Sequence, residues 1–433
     1  MNKLRGNIII LMIISVILML VSCVSLNEPP PVTDDSFIPE APILNISGGT
    51  FPGGEEVIVE ISNPNNEGDI YYTLDGTLPG KHSYKYSGPV VLLGEDRKTA
   101  ALLAVVIADN GNVSSYSSGF YEQTVIFKDS AVQKALEDYF SVEAGGIKYS
   151  MLNKITSFFA YGDYVSVNDE FSIIKDIGYS PMSRTFQDGF GKPESRGGIV
   201  YLDDFNLMSG LTELSVNFNK VESIPDLSNL TLEKVCLEDN YITNVSGLES
   251  QMHMRYVYLN NNMITDARCL GGGRKISIYE LSLSENPLEF LPDTKPMIDL
   301  THLYLSDTGI TDWPELYDNK ELVMLDLSNN GIKQISRPPK ALRISKLDFS
   351  GNDLTDISNL KYLGETISVK YHDGSITKKA ACEVLNLSGN KIADLSPLME
   401  ISSLRRLILT DNGCDIDWDI LKQMTWLDEI VVE

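Results

Sequence analysis

The sequence predicts a mainly β protein in three parts: an antiparallel β-sandwich, a short helical cap and a solenoid of single-strand repeats. Three observations carry this. Residues 43–127 hold short β-branched and aromatic runs separated by Gly, Pro, Asn and Asp clusters. From residue 201 a pattern of spaced leucines ending, with one exception, on asparagine returns nine times, mostly every 22 residues. Between these regions, Asp129-Ser130 precedes apolar residues at helical spacing. The chain has 433 residues, 43% of them hydrophobic, so it can build cores and is not disordered. Its net charge of −25 opposes a phosphate backbone and excludes a general nucleic-acid binder.

Residues 1–23 read as an address. Lys3 and Arg5 precede an apolar run, Ile8 to Val21, too short to span a bilayer. The run Leu20-Val21-Ser22-Cys23 resembles a bacterial lipobox. That resemblance implies that Cys23 becomes the mature N-terminus and carries lipid; the alternative is an uncleaved anchor. Residues 24–42, with Pro29, Pro30, Pro31, Asp34 and Asp35, then form an extended tether. This places the protein in the bacterial cell envelope, lipid-anchored at the outer membrane or cell surface.

Residues 43–127 form the β-sandwich. Strand-like runs such as Val57 to Ile61, Asp69 to Thr73 and Ala100 to Ala108 alternate with turn signals, among them Asp75-Gly76. The run Tyr71-Tyr72-Thr73-Leu74-Asp75-Gly76-Thr77-Leu78-Pro79, with Gly49-Thr50-Phe51 and Tyr86-Ser87-Gly88-Pro89, resembles the chitobiase/β-hexosaminidase C-terminal-like module. The resemblance implies an immunoglobulin-like accessory domain without a catalytic residue. Tyr71, Tyr72, Tyr84 and Tyr86 either stack on sugar rings or pack the sandwich.

Residues 128–200 join and cap. Val132, Ala135, Leu136, Tyr139 and Phe140 keep helical spacing. Ile155, Phe158 and Ala160 read as a degenerate first repeat, with Asp163 and Val165 at its turn. An atypical terminal unit is what covers the open end of a solenoid. Residues 166–198 fit no element.

Residues 201–433 are the repeat array. One unit reads Leu322-x-x-Leu325-x-Leu327-x-x-Asn330-x-Ile332, and only the fifth unit replaces Asn, with Thr308. This is a leucine-rich repeat signature. The leucines point into the coil, and each Asn amide is expected to satisfy backbone groups of its neighbour. The period of 22 is short and predicts extended or 3₁₀ segments on the outer side. Tails such as Ile392-x-Asp394-Leu395-Ser396-Pro397-Leu398 resemble the internalin-type bacterial subclass, which implies protein binding through the concave strand face and no catalysis.

Residues between the leucines face outward. Aromatics concentrate at Tyr256, Tyr258, His302 and Tyr304, with Glu280 between them, and Asp326 and Asp348 follow. Together with the residues before each Asn, the outward positions give nine acids against three bases, Lys234, Lys346 and Arg406. The expected partner is therefore a protein with a basic patch. Clustered Tyr fits a binding hot spot, or else these residues merely suit strands. Cys236 is expected to be exposed on this face. A surplus of 16 residues between Asn352 and Asn390 predicts a β-hairpin insertion near 364–379, either a functional decoration or a tolerated loop.

No Gly-x-Ser-x-Gly elbow, His-Glu-x-x-His or phosphate-cradling loop occurs. The expectation is a monomer that is not an enzyme, with no cofactor and no metal. Its membrane contact is through lipid, and it binds protein, or alternatively carbohydrate through the β-sandwich.

Overall fold

The structure is a computed structural model that describes residues 37–168, 193–271, 277–316, 319, 321–338, 344–364, 367–370, 376–379, 382–412 and 418–432. The signal segment with Cys23, most of the tether, most of 166–198, the turn of the hairpin insertion and Cys414 lie outside the described residues. The chain divides into two compact units between Glu122 and Gln123.

The first unit holds β1 (Ile43–Leu44), β2 (Gly49–Phe51), β3 (Val57–Val59), β4 (Ile61–Ser62), β5 (Asp69–Thr73), β6 (Tyr84–Lys85), β7 (Val90–Leu93), β8 (Thr99–Ile107) and all but the last residue of β9 (Ser117–Gln123). A five-stranded sheet runs in the order β2-β9-β8-β5-β6, beside the pairs β3–β7 and β1–β4. Alternation along β8 buries Ala100, Leu102, Ala104 and Val106, which share one core with Val57, Val59, Leu92, Leu93 and Tyr121. The Asp75-Gly76 turn is held by the Asp75 carboxylate, which accepts from the Thr77 amide at 3.0 Å and its hydroxyl at 2.6 Å, with Gly76 at φ 78°.

The second unit opens with α1 (Ser130–Phe140), whose N-cap Asp129 accepts from the amides of Ala131 and Val132. The other Asp129 oxygen accepts from the amides of Val200 and Tyr201 at 2.7 and 2.9 Å. Buried Asp204 in turn accepts from the amides of Lys128 and Asp129. Two carboxylates thus tie the helix to the first coil, and Val132 and Leu136 enter the solenoid core. Residues 123–127, drawn with the sandwich by composition, fall in this unit, where Val125 joins that core. After α2 (Tyr149–Leu152) come β10 (Ser157–Tyr161) and β11 (Tyr164–Val167). Phe158 and Ala160 of β10 stand in register with Leu214 and Val216, so β10 is the first parallel coil strand. Val165 does not lie at a turn. Gly162, at φ 59°, lets the chain double back, and β11 pairs antiparallel along the sheet edge.

The strands β12 (Glu213–Asn217), β13 (Lys234–Cys236), β14 (Tyr256–Tyr258), β15 (Glu280–Ser282), β16 (His302–Tyr304), β17 (Met324–Asp326) and β18 (Lys346–Asp348) follow, one per coil. β19 (Ile367–Lys370) and β20 (Ile376–Lys379) form a separate antiparallel pair, the expected hairpin. β21 (Val384–Asn386), β22 (Arg406–Ile408), α3 (Trp418–Gln423) and β23 (Glu429–Val431) complete the chain. β10 to β23, without the hairpin, make one twelve-stranded sheet. The outer arcs carry 3₁₀ turns at Ser246–Leu248, Arg268–Leu270, Ser358–Gly364 and Ser396–Glu400. Gly271 serves close approach there, because a Cβ would sit 2.1 Å from the Asp293 carbonyl oxygen.

The Asn positions form the expected ladder. Asn262 accepts from the Ile242 amide of the preceding coil and donates to the Leu237 carbonyl, at 3.0 and 2.9 Å. Asn286 repeats this with Ile264 and Leu259. Thr308 instead turns its hydroxyl to the Leu305 carbonyl of its own coil at 2.9 Å and, at 3.1 Å, to Asn330 Oδ1 of the next, sharing one proton between them. One rung therefore lacks the amide's reach backward. The residue before each rung is left-handed: Phe218, Asp239, Asn261, Glu285, Asp307, Asn329, Gly351, Gly389 and Asp411 all have φ between 51° and 64°. The ladder continues across the insertion, where Asn390 donates to the Phe349 carbonyl at 2.9 Å and accepts from the Leu354 amide at 3.1 Å.

Candidate protein-binding face

The parallel register lines the outward side chains into rows along the sheet. One row contains Lys234, Tyr256, Glu280, His302, Met324, Lys346 and Val384; the next contains Cys236, Tyr258, Ser282, Tyr304, Asp326, Asp348 and Asn386. Strands about 4.8 Å apart bring neighbours in a row into contact. The two rows differ in depth. Tyr256 is 37% exposed and Glu280 and His302 are half-buried, whereas Tyr258, Tyr304, Asp326 and Asp348 are buried.

The aromatic group expected at the surface is therefore split. Tyr258 and Tyr304 form its floor, and Tyr256, Glu280 and His302 form its surface. The physical reason is packing along the row: a Tyr set between short side chains such as Ser282 lies down on the sheet rather than standing from it. Cys236 is corrected for the same cause. It is buried beside Tyr258, its register neighbour, and burial pushes its thiol up to about 12.

Glu280 is the centre of the group. Its Oε2 accepts from the Tyr258 hydroxyl at 2.6 Å, and Oε1 lies 3.8 Å from His302 Nδ1. Burial, with the Glu280 charge next, holds the Tyr258 and Tyr304 phenols well above the ordinary tyrosine range. The His302 ring stacks on Tyr304 with centroids 6.2 Å apart. The Thr301 hydroxyl donates its single proton to the Tyr279 carbonyl at 2.8 Å. The 2.9 Å contact between that hydroxyl and His302 Nδ1 must then be donated by the imidazole, so Nδ1 carries a proton. Asp348 is held by neutral donors, the Ser350 amide and hydroxyl and the Asn386 amide.

Sequence reasoning places Asn260 on the outward face without its bridging role, and it misses Arg196. Asn260 bridges coils by donating to Glu238 Oε1 at 2.5 Å and accepting from the Ser284 amide at 3.1 Å. Arg196 clamps the first rungs, donating to the carbonyls of Asn219 and Asp239 with its guanidinium 4.5 Å from the Tyr241 ring centroid. Only an unassigned stretch precedes Arg196 in sequence, so nothing signalled it.

In the first unit the four tyrosines do not share a platform. Tyr71 and Tyr72 are adjacent in β5 and so point to opposite faces. Tyr72 pairs with Tyr84, their rings 5.4 Å apart, and Tyr84 is 64% exposed on the edge strand. The Tyr86 hydroxyl accepts from the Ile61 amide at 3.1 Å, and both Tyr72 and Tyr86 pack on the core.

Among the described residues no helix is long and apolar enough to cross a membrane, and no group of three or more His, Cys, Asp or Glu could hold a metal ion.

Comparison with known proteins agrees with the repeat reading. A family model described as Leucine Rich repeats (2 copies) matches residues 298–341, and one described as Fn3 associated matches residues 59–121. Lumican from Oryctolagus cuniculus is 30% identical over 160 residues, 35% of this chain and 82% of that protein. Lumican from Rattus norvegicus is 28% identical over 200 residues, 44% of this chain; the match spans only 59% of that protein's length. Among solved structures, an internalin from Listeria monocytogenes is 21% identical with a TM-score of 0.49, covering 71% of this chain and 76% of that one.

Proposed function

The chain belongs to the leucine-rich repeat proteins, and from that premise we propose that it is a lipid-anchored bacterial surface protein. In this reading it binds a protein partner through the outward sheet face of its repeats, in adhesion or host interaction, and acts as a monomer. The N-terminal unit is an immunoglobulin-like spacer, α1 is a cap, and Cys23 carries the lipid.

One observation carries the reading. Tyr256, Glu280 and His302 stand side by side at the surface over a buried, hydrogen-bonded floor. Rigid aromatics around a half-desolvated charge are what a hot spot needs. The acids of the rows, Glu280, Asp326 and Asp348 among them, favour a basic patch on the partner, so association slows as salt rises. A photo-crosslinker at position 256 of the full chain should capture a surface protein of the host or of a neighbouring bacterium. The same group at Glu249, on an outer arc, should not. Equal capture at both positions would sink the reading.

The alternative is carbohydrate recognition by the N-terminal unit. It is favoured by the exposed Tyr84 ring against Tyr72. Glycan-array binding that Tyr84→Ala abolishes would support it, and silence on the array would remove it.

A further inference from the structure

We propose that the partner engages this face with an arginine, whose guanidinium seats on Glu280 between the rings of Tyr256 and His302. This rests on the protein-binding reading and names the chemistry the site selects.

Consider first the carboxylate. Glu280 has no Lys or Arg within ion-pair distance among the described residues. The Tyr258 hydroxyl occupies part of Oε2. Among the described residues Oε1 has only the His302 Nδ1 at 3.8 Å, and that nitrogen already donates to Thr301. A half-buried carboxylate with acceptor capacity left over is a strong seat for a cation.

The flanks come next. Tyr256 and His302 are the register neighbours of Glu280 on either side. Tyr256 leans towards Tyr279 with centroids 6.4 Å apart, and His302 is braced by Tyr304. A planar guanidinium can pair with the carboxylate while stacking on a ring; a compact ammonium gains less from both contacts.

The molecule builds the same constellation elsewhere with its own side chains. Asp266 takes Arg268 through Nε at 3.0 Å and Nη2 at 2.6 Å, while that guanidinium lies 4.1 Å from the Phe290 centroid. Arg255 likewise stacks over Tyr279. At Glu280 the carboxylate and rings are present, and among the described residues no arginine accompanies them.

The test uses the full chain and three blocked peptides, Gly-Gly-X-Gly-Gly with X as Arg, Lys or citrulline, followed by amide shifts of Tyr256 and His302. The arginine peptide should bind in the millimolar range, roughly what one charged contact on an open surface gives. The lysine peptide should bind about threefold more weakly and the isosteric, uncharged citrulline not at all. Glu280→Gln keeps the side chain's shape and should lower arginine-peptide affinity about tenfold or more. The spectrum of that variant reports whether it is folded. Citrulline binding as tightly as arginine, or unchanged affinity in Glu280→Gln, would overturn the proposal. If capture at position 256 survives undiminished in Glu280→Gln, the face binds protein but not through arginine. If the arginine peptide binds while capture at 256 fails, the protein-partner reading falls instead.

Discussion

The Tyr258 hydroxyl donates a 2.6 Å hydrogen bond to Glu280 Oε2 from the neighbouring strand. It pins the one carboxylate at the centre of the surface group, and it does so from below, where water is excluded. Tyr258→Phe removes this bond without changing the ring. Because Glu280 is only half-buried and can be rehydrated, the expected loss is about 1 kcal/mol, measured by urea unfolding at pH 7. The pH sign follows from the raised phenol. An unfolded tyrosine titrates near ~10, and burial and then the Glu280 charge raise the folded value. The contribution is therefore fully present below about pH 10 and fades as pH rises beyond it. Wild type and Tyr258→Phe should converge in that window, and a constant gap would contradict the assignment.

The rung at Thr308 is the weak one. Its hydroxyl serves Leu305 and Asn330 and does not reach the preceding coil as Asn262 and Asn286 do. Thr308→Asn should raise stability by about 1 kcal/mol, the net worth of a recovered hydrogen bond. Asn330→Ala should cost about 2–3 kcal/mol by orphaning buried backbone groups. Thermal unfolding of the two variants tests both directions.

Glu285 occupies a left-handed position at φ 56°. Glu285→Gly and Glu285→Ala both delete the side chain, but only glycine also relieves the backbone. The glycine variant should be the more stable by about 1 kcal/mol. An alanine variant that matched it would show that the position is not strained.

His302 should carry its proton on Nδ1 at neutral pH, because the Thr301 hydroxyl has already been donated to Tyr279. Long-range ¹H–¹⁵N spectra distinguish the tautomers. Thr301→Val removes the acceptor and should return the ring to an Nε2–H form; persistence of Nδ1–H would refute the hydrogen-bond assignment.

The buried thiols of Cys236 and Cys382, and the half-buried one of Cys269, should be inert. Burial pushes Cys236 and Cys382 up to about 12 and Cys269 up to about 11. At pH 8 a thiol reagent should label these three slowly in the folded chain and quickly in urea, and fast native labelling would place them at the surface.

Periodicity made the solenoid legible, since a leucine at each inward position and an Asn at each turn record burial directly, as Leu281 and Asn286 do. Depth on the outward face was not legible. Tyr256 and Tyr258 have the same residue type and the same sheet face, yet one is at the surface and the other is buried. The difference depends on neighbours across the rows, and a linear reading sees those only after the register is known. The left-handed turn position was half visible: Asp, Asn and Gly at 239, 261, 307, 329, 351, 389 and 411 are the types that tolerate it, while Phe218 and Glu285 hide it. For the β-sandwich tyrosines, alternation alone separates Tyr71 from Tyr72.

The amide of Asn390 reaches the carbonyl of Phe349 across 41 residues of chain, and β18 lies beside β21 as if the intervening segment were absent. The sheet's phase is thus handed from strand to strand by short contacts and is blind to contour length elsewhere. A solenoid governed in this way has no long-range memory. Foreign sequence spliced between Gly364 and Cys382 would leave every later coil in step, which makes that seam a natural port for grafting.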